Sequence, residues 1–149
     1  REVDNFVLID LQGSATTIVT YAVSKSDLVV IPAQPSAMDL REVLRAGELI
    51  KRTEEVVGRP IPYRALMTKM HPLRSKVADH ARQQLAKQNI PTFRTEILER
   101  AAFREMTFHG ATPQMVDPHS PASQNIGALV REMVGILEES WMDQRSQVA

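Results

Sequence analysis

Cysteine is absent from the 149 residues, which excludes a disulfide framework, a Cys-ligated zinc and a Cys-held iron–sulfur cluster. An excess of either charge is missing too. The 18 Lys and Arg balance 18 Asp and Glu, so any basic surface for nucleic acid has to be local. No apolar run approaches the roughly 18 residues of a membrane span. Aromatic residues make up 5% of the chain and hardly interleave with the basic ones, which argues against a stacking platform for single strands. There is no internal repeat and no low-complexity stretch. The first apolar segment follows the charged Arg1, Glu2 and Asp4, so no signal peptide is expected, and a cytoplasmic location is. What is present, 43% apolar and 24% charged residues, suits a single domain over residues 1–149 with a real core.

Four short apolar runs alternate with helical patterns. The runs Phe6–Leu11, Leu28–Pro32, Tyr63–Thr68 and Thr92–Leu98 read as strands. Thr16–Val23 reads as a short helix. After Pro35 comes the clearest helix, with Leu40, Val43, Leu44, Gly47, Ile50 and Val57 on one face and Gly58-Arg59-Pro60 ending it. Ser36 or Asp39 can cap it, and Asp39 with Glu42 has capping-box spacing. Further helices are predicted over Ser75–Gln88, with Val77, Ala81, Leu85 and Ala78 toward the sheet, over Ala101–Phe108, and over Ala122–Met142. Strands joined by helical crossovers predict a parallel sheet with helices on both faces, a three-layer α/β/α domain.

The run Phe6-Val7-Leu8-Ile9-Asp10-Leu11-Gln12-Gly13 ends a strand pattern in a carboxylate, on the rim where open α/β sheets bind ligands. Gly13 allows a backbone N–H to approach an anion. The run resembles the Walker B strand and switch II turn of a P-loop NTPase. Two more segments extend the resemblance. Asp27-Leu28-Val29-Val30-Ile31-Pro32-Ala33-Gln34-Pro35-Ser36-Ala37-Met38-Asp39-Leu40 looks like a strand and helix start of the form D-x-V-I-I-P-x-x-P-S-x-x-D-L. Phe108-His109-Gly110-Ala111-Thr112-Pro113, followed by Asp117-Pro118, looks like S-H-G-x-P then D-P. Taken together and in this order, over most of residues 5–137, the segments resemble the ParA/MinD (deviant Walker A) ATPases, and among them the ParA-type partitioning proteins.

There are departures. No G-x-x-x-x-G-K-S/T occurs in the 149 residues. The resemblance places the P-loop, with its βα unit, upstream of Arg1, so the chain is read as the carboxyl-terminal majority of a P-loop NTPase-like domain and as inactive by itself. Leu11 or Gln12 stands where the family usually has Pro, as does Leu98 or Glu99 after the fourth strand.

The resemblance implies site residues. Asp10 would hold Mg²⁺, through water, and help order the attacking water. Gly13 would sense the γ-phosphate of ATP. Thr68, Lys69 and Glu99 would flank the adenine. Basic residues gather at Lys69, His71, Arg74, Lys76, His80, Arg82 and Lys87, with a second group at Arg94, Arg100 and Arg104. Of these, Arg74, Lys76, Arg100 and Arg104 are the implied contacts to double-stranded DNA, phosphate contacts without sequence preference. His109 has no metal-spaced partner and reads as a loop residue. Glu138, Glu139 and Asp143 beside Trp141 make the end of the last helix acidic, which argues against a basic membrane anchor.

The function implied is an ATPase that dimerises around ATP, binds nucleoid DNA, and hydrolyses slowly under stimulation by a ParB-like adaptor to segregate a plasmid or chromosome. One alternative keeps the family and changes the cargo to a conjugation or other complex. Another is a non-enzymatic receiver-like module with Asp10 as phospho-acceptor.

Overall fold

The computed structural model describes residues 6–11, 17–73 and 75–148, with side chains as far as Met142. Eight elements follow in order: α1 (Thr17–Lys25), β1 (Val29–Ala33), α2 (Ala37–Val57), β2 (Tyr63–Met67), α3 (Lys76–Lys87), α4 (Ala101–His109), α5 (Pro113–Val116) and α6 (Pro121–Val148). Local chemistry sets the ends of α2. Ser36 is the N-cap, with extended backbone (φ −129°, ψ 152°), and its Oγ accepts from the Asp39 N–H at 3.1 Å. The hydroxyl in turn donates to Asp39 Oδ1 at 2.6 Å. The capping pair is therefore Ser36 with Asp39, not Asp39 with Glu42, because only Ser36 has the extended backbone a cap requires. Glu42 pairs with Arg45 instead. Gly58 closes the helix in the left-handed region (φ 69°), its N–H donating to Glu54 O at 2.8 Å.

The sheet is smaller than the sequence predicts. β1 and β2 are parallel, with Val29 opposite Tyr63 and Ala33 opposite Met67, and α2 is the crossover between them. The fourth predicted strand, Thr92–Leu98, is reduced to isolated bridges, Thr92 to Ala65 and Leu98 to Met70. Its bonds to β2 give the reason. The Phe93 N–H reaches Ala65 O and the Ile97 N–H reaches Met67 O, so β2 advances by two residues while the segment advances by four. That is a bulge, and it breaks the ladder. The Arg94 and Thr95 N–H groups it releases donate to the Glu132 carboxylate at 2.7 and 2.8 Å. One helical stretch away, Asn125 Oδ1 accepts from Leu98 N–H and its Nδ2 donates to Glu96 O. Helix α6 thus supplies polar side chains where a neighbouring strand would supply backbone.

The first predicted strand is a further correction. Residues 6–11 are irregular, and Phe6, Val7, Leu8 and Ile9 are exposed. A strand is held by the ladder beside it, and among the described residues nothing pairs with this segment.

The unbroken apolar character of Leu28–Ile31 follows from burial on both sides. Val29 and Ile31 pack toward α1 and α2 with Val23, Ile50 and Ile61, and α2 and α3 bring Val43, Ala78, Ala81 and Leu85 against Ala33, Ala65 and Met67. Leu28 and Val30 face the other way, against Leu66, Phe93 and the α6 residues Leu129, Met133 and Ile136. The chain is thus mixed α/β, with a small parallel sheet of two strands among the described residues. Two apolar predictions fail. Val77 is exposed because it lies one residue off the Ala78–Ala81–Leu85 stripe, and Val57 lies exposed in the last turn of α2.

Gly47 is there for space. A Cβ at this position would lie 3.3 Å from Tyr63 Oη and 3.5 Å from Ile90 Cδ1. Gly47→Leu is expected to cost about 1–3 kcal/mol through overpacking, measured by urea unfolding. A loss below about 0.5 kcal/mol would mean that α2 moves away from Tyr63 freely.

Candidate functional site

The carboxyl ends of the parallel segments meet on one rim. The Ala33 carbonyl accepts twice from Thr68, from its N–H at 2.8 Å and from its hydroxyl at 3.3 Å. Lys69 follows with a positive φ of 50°, uncommon for a residue with a Cβ and a backbone state that gathers at functional turns. Next, Met70 pairs with Leu98, and the Glu99 N–H donates to Met70 O at 2.8 Å. Residues 34–36, 68–70 and 98–100 are therefore neighbours. The sequence-predicted Thr68, Lys69 and Glu99 come together here, as open α/β sheets place their ligand residues.

Asp39 joins this rim, a residue read from the sequence only as a helix cap. Its Oδ2 accepts the Gln34 N–H at 2.7 Å and fixes the turn from β1 into α2. The Ser36 hydroxyl first, and then the Gln34 N–H, hold its carboxyl below the usual carboxylate range, and Lys69 adds to this by its charge. The spacing S-x-x-D after Pro35 was the available signal.

The remaining predicted residues are placed less favourably. Asp10 is exposed and makes no hydrogen bond or ion pair with another described residue. Gly13 and Arg74 lie outside the described residues. Glu99 is paired with Arg104 at 3.1 Å, which joins an implied adenine neighbour to an implied DNA contact. Among the described residues, no three His, Asp or Glu side chains gather as a metal site.

The basic surface is narrower than the sequence count. Lys69, His71, Lys76, His80 and Lys87 are exposed. Arg82 is not a free cation. It donates to both Glu96 carboxylate oxygens, at 2.7 and 2.8 Å, and to Asp79 at 2.8 Å, clasping α3 to the bulged segment. Sequence spacing could not show this, because Glu96 lies fourteen residues along the chain. Arg100, the N-cap residue of α4, is half-buried, and its Nε has no hydrogen-bond partner among the described residues. Arg104 is exposed on α4.

Fold and rim together describe an α/β protein whose turns meet at the carboxyl ends of parallel segments. The chain is similar to Protein ParA of Rhizobium radiobacter, to which it is 31% identical over 98 residues. That match takes in 65% of this chain and 44% of the relative, so the chain spans less than half the length of the curated relative it matches. No protein-family model matches the chain. Among the described residues, no helix is long and apolar enough to cross a membrane.

Proposed function

We propose that these residues form the carboxyl-terminal majority of a ParA-type partitioning ATPase, one domain built as a three-layer α/β/α sandwich once its P-loop βα unit is in place. The observation that carries this reading is the likeness to ParA over 98 residues. The meeting of Thr68, Lys69 and Glu99 at one rim supports it.

The residues fit one side of the nucleotide and not the other. Around the rim, backbone turns and the exposed Lys69 are suited to flank a base. A Gly-rich phosphate cradle with its lysine does not occur in the 149 residues, so no reaction step is built on them alone. When bound, Mg-ATP supplies the phosphoryl group and the charge to be neutralised. Asp10 would hold the ion through water, and Gly13 would face the γ-phosphate. The full protein would dimerise around ATP, and the exposed Lys76 with Arg74, Arg100 and Arg104 would meet DNA phosphates. A ParB-like adaptor would stimulate slow hydrolysis on the nucleoid.

Isothermal titration tests the nucleotide half. Residues 1–149 are expected to show no Mg-ATP binding below millimolar concentration, and the natural gene product with its P-loop to bind in the micromolar range. Tight binding by residues 1–149, or none by the longer product, overturns the proposal. In the longer product DNA binding should require ATP and weaken steeply with salt.

A further inference from the structure

Between α2 and α3 runs a half-open groove of about 310 Å³, at the lower end of ligand-site volumes. Its floor is apolar, with Leu40, Leu44, Ala81 and Leu85, and its rim carries Arg41 and His80. Val77, exposed at 60%, stands at the opening, an apolar side chain left in water.

The charge on this rim is one-sided, because the nearby carboxylates are committed elsewhere. Asp39 is held by Ser36 and Gln34, Glu42 pairs with Arg45, and Asp79 pairs with Arg82. Among the described residues, Arg41 donates only to the Ala37 carbonyl in its own helix and has no ion pair. The polar contact of His80 among the described residues is to Gln84, at 3.4 Å, and Lys76 is exposed one turn away. An apolar trough with uncompensated donors suits an amphipathic helix that brings carboxylates beside apolar side chains.

The chain carries such a helix. Near the end of α6, Glu138 and Glu139 are exposed and have no ion pair among the described residues, and Met142 is 64% exposed beside the half-buried Trp141. We propose that the α2–α3 groove docks the acidic end of α6 of a second copy, with Glu138 and Glu139 meeting Arg41 and His80 while Met142 covers Val77. Groove and helix end are different surfaces. The contact is heterologous, closing into a reciprocal pair or continuing from copy to copy. A helix end in a groove buries less than a standard interface, so the association is weak and salt-sensitive. It uses no nucleotide and is separate from the ATP-bridged dimer proposed above, so either proposal can fail alone.

Sedimentation velocity on nucleotide-free protein tests it. The weight-average mass of the unaltered chain should rise with concentration, and less so in high salt. Arg41→Glu alone, and Glu138→Arg with Glu139→Arg alone, should each weaken association at least about tenfold, since each sets like charges against each other. All three positions are exposed, and circular dichroism confirms that the variants fold. Mixing the two variants should restore association, because the acidic groove of one then accepts the basic helix end of the other. An unaltered chain that stays monomeric, association indifferent to Arg41→Glu, or a mixture that stays monomeric overturns the proposal.

Discussion

In the P-loop-containing ATPase proposed above, Asp10→Ala is expected to lower ATP hydrolysis by on the order of 100-fold or more, the usual loss when one positioned charge-stabilising group is removed. The same change should leave thermal stability within about 0.5 kcal/mol, because substitutions at exposed positions without partners are close to neutral. Asp10 is such a position, with no hydrogen bond or ion pair to another described residue. The two readouts separate two roles. A carboxylate that only caps a turn would cost roughly 1 kcal/mol of stability and leave turnover intact. One that holds Mg²⁺ costs turnover and leaves stability alone. A steady-state ATPase assay beside a melting curve decides between them, and normal turnover would remove Asp10 from the site.

Glu132→Ala should have the largest effect on folding, about 2–4 kcal/mol, because it strands two backbone donors at once. The Arg94 and Thr95 N–H groups give to this carboxylate at 2.7 and 2.8 Å, and the bulge leaves them no ladder partner. For a chain of this length that corresponds to a fall in Tm of very roughly 5–15 °C. Burial by itself raises the Glu132 carboxyl, and the hydrogen bonds from Arg94 and Thr95, with the Arg94 charge, outweigh it and leave the group below its ordinary value. The folded state therefore holds this proton less tightly than the unfolded chain. Its share of stability is complete above the ordinary carboxylate range and is lost as pH falls through the lowered folded value. Asp39, lowered by Ser36 and Gln34, contributes with the same sign. Glu132→Gln keeps one acceptor oxygen, so it should lose less stability than Glu132→Ala while flattening the acid limb of the unfolding curve. Urea unfolding from about pH 7 down to pH 3 measures both. An unchanged acid limb in Glu132→Gln would assign the pH dependence to other groups.

Helix α2 was legible because its signals are local. Ser36, Asp39 and Gly58 lie within one turn of the groups they satisfy, and the spacing of Val43, Gly47 and Ile50 needs no partner to be read. β1 was legible for a related reason, since burial on both faces leaves Leu28–Ile31 an unbroken apolar run, and β2 ends in the buried Ala65, Leu66 and Met67. The same reasoning failed on Phe6–Leu11. Its composition is that of a strand, but composition records what a segment is able to pair with and not whether a partner lies beside it. Within Thr92–Leu98 the failure was subtler. The segment does run beside β2, but it gains two residues on it, and no pattern in its sequence announces a bulge.

Helices α1, α2, α3, α4 and α6, the ends of α2, the parallel sense of β1 and β2, and the likeness to ParA could all be read from residue order, because they rest on neighbours in the chain. Only the tertiary structure decided that Arg82 is spent on Glu96 and Asp79, that Glu132 and Asn125 finish the edge of the sheet, and that Thr68, Lys69 and Glu99 share a rim with Asp39. These depend on which distant side chain reaches a given backbone group or charge. That is settled by packing, because a backbone donor or a cation finds its partner in space, wherever in the chain that partner lies.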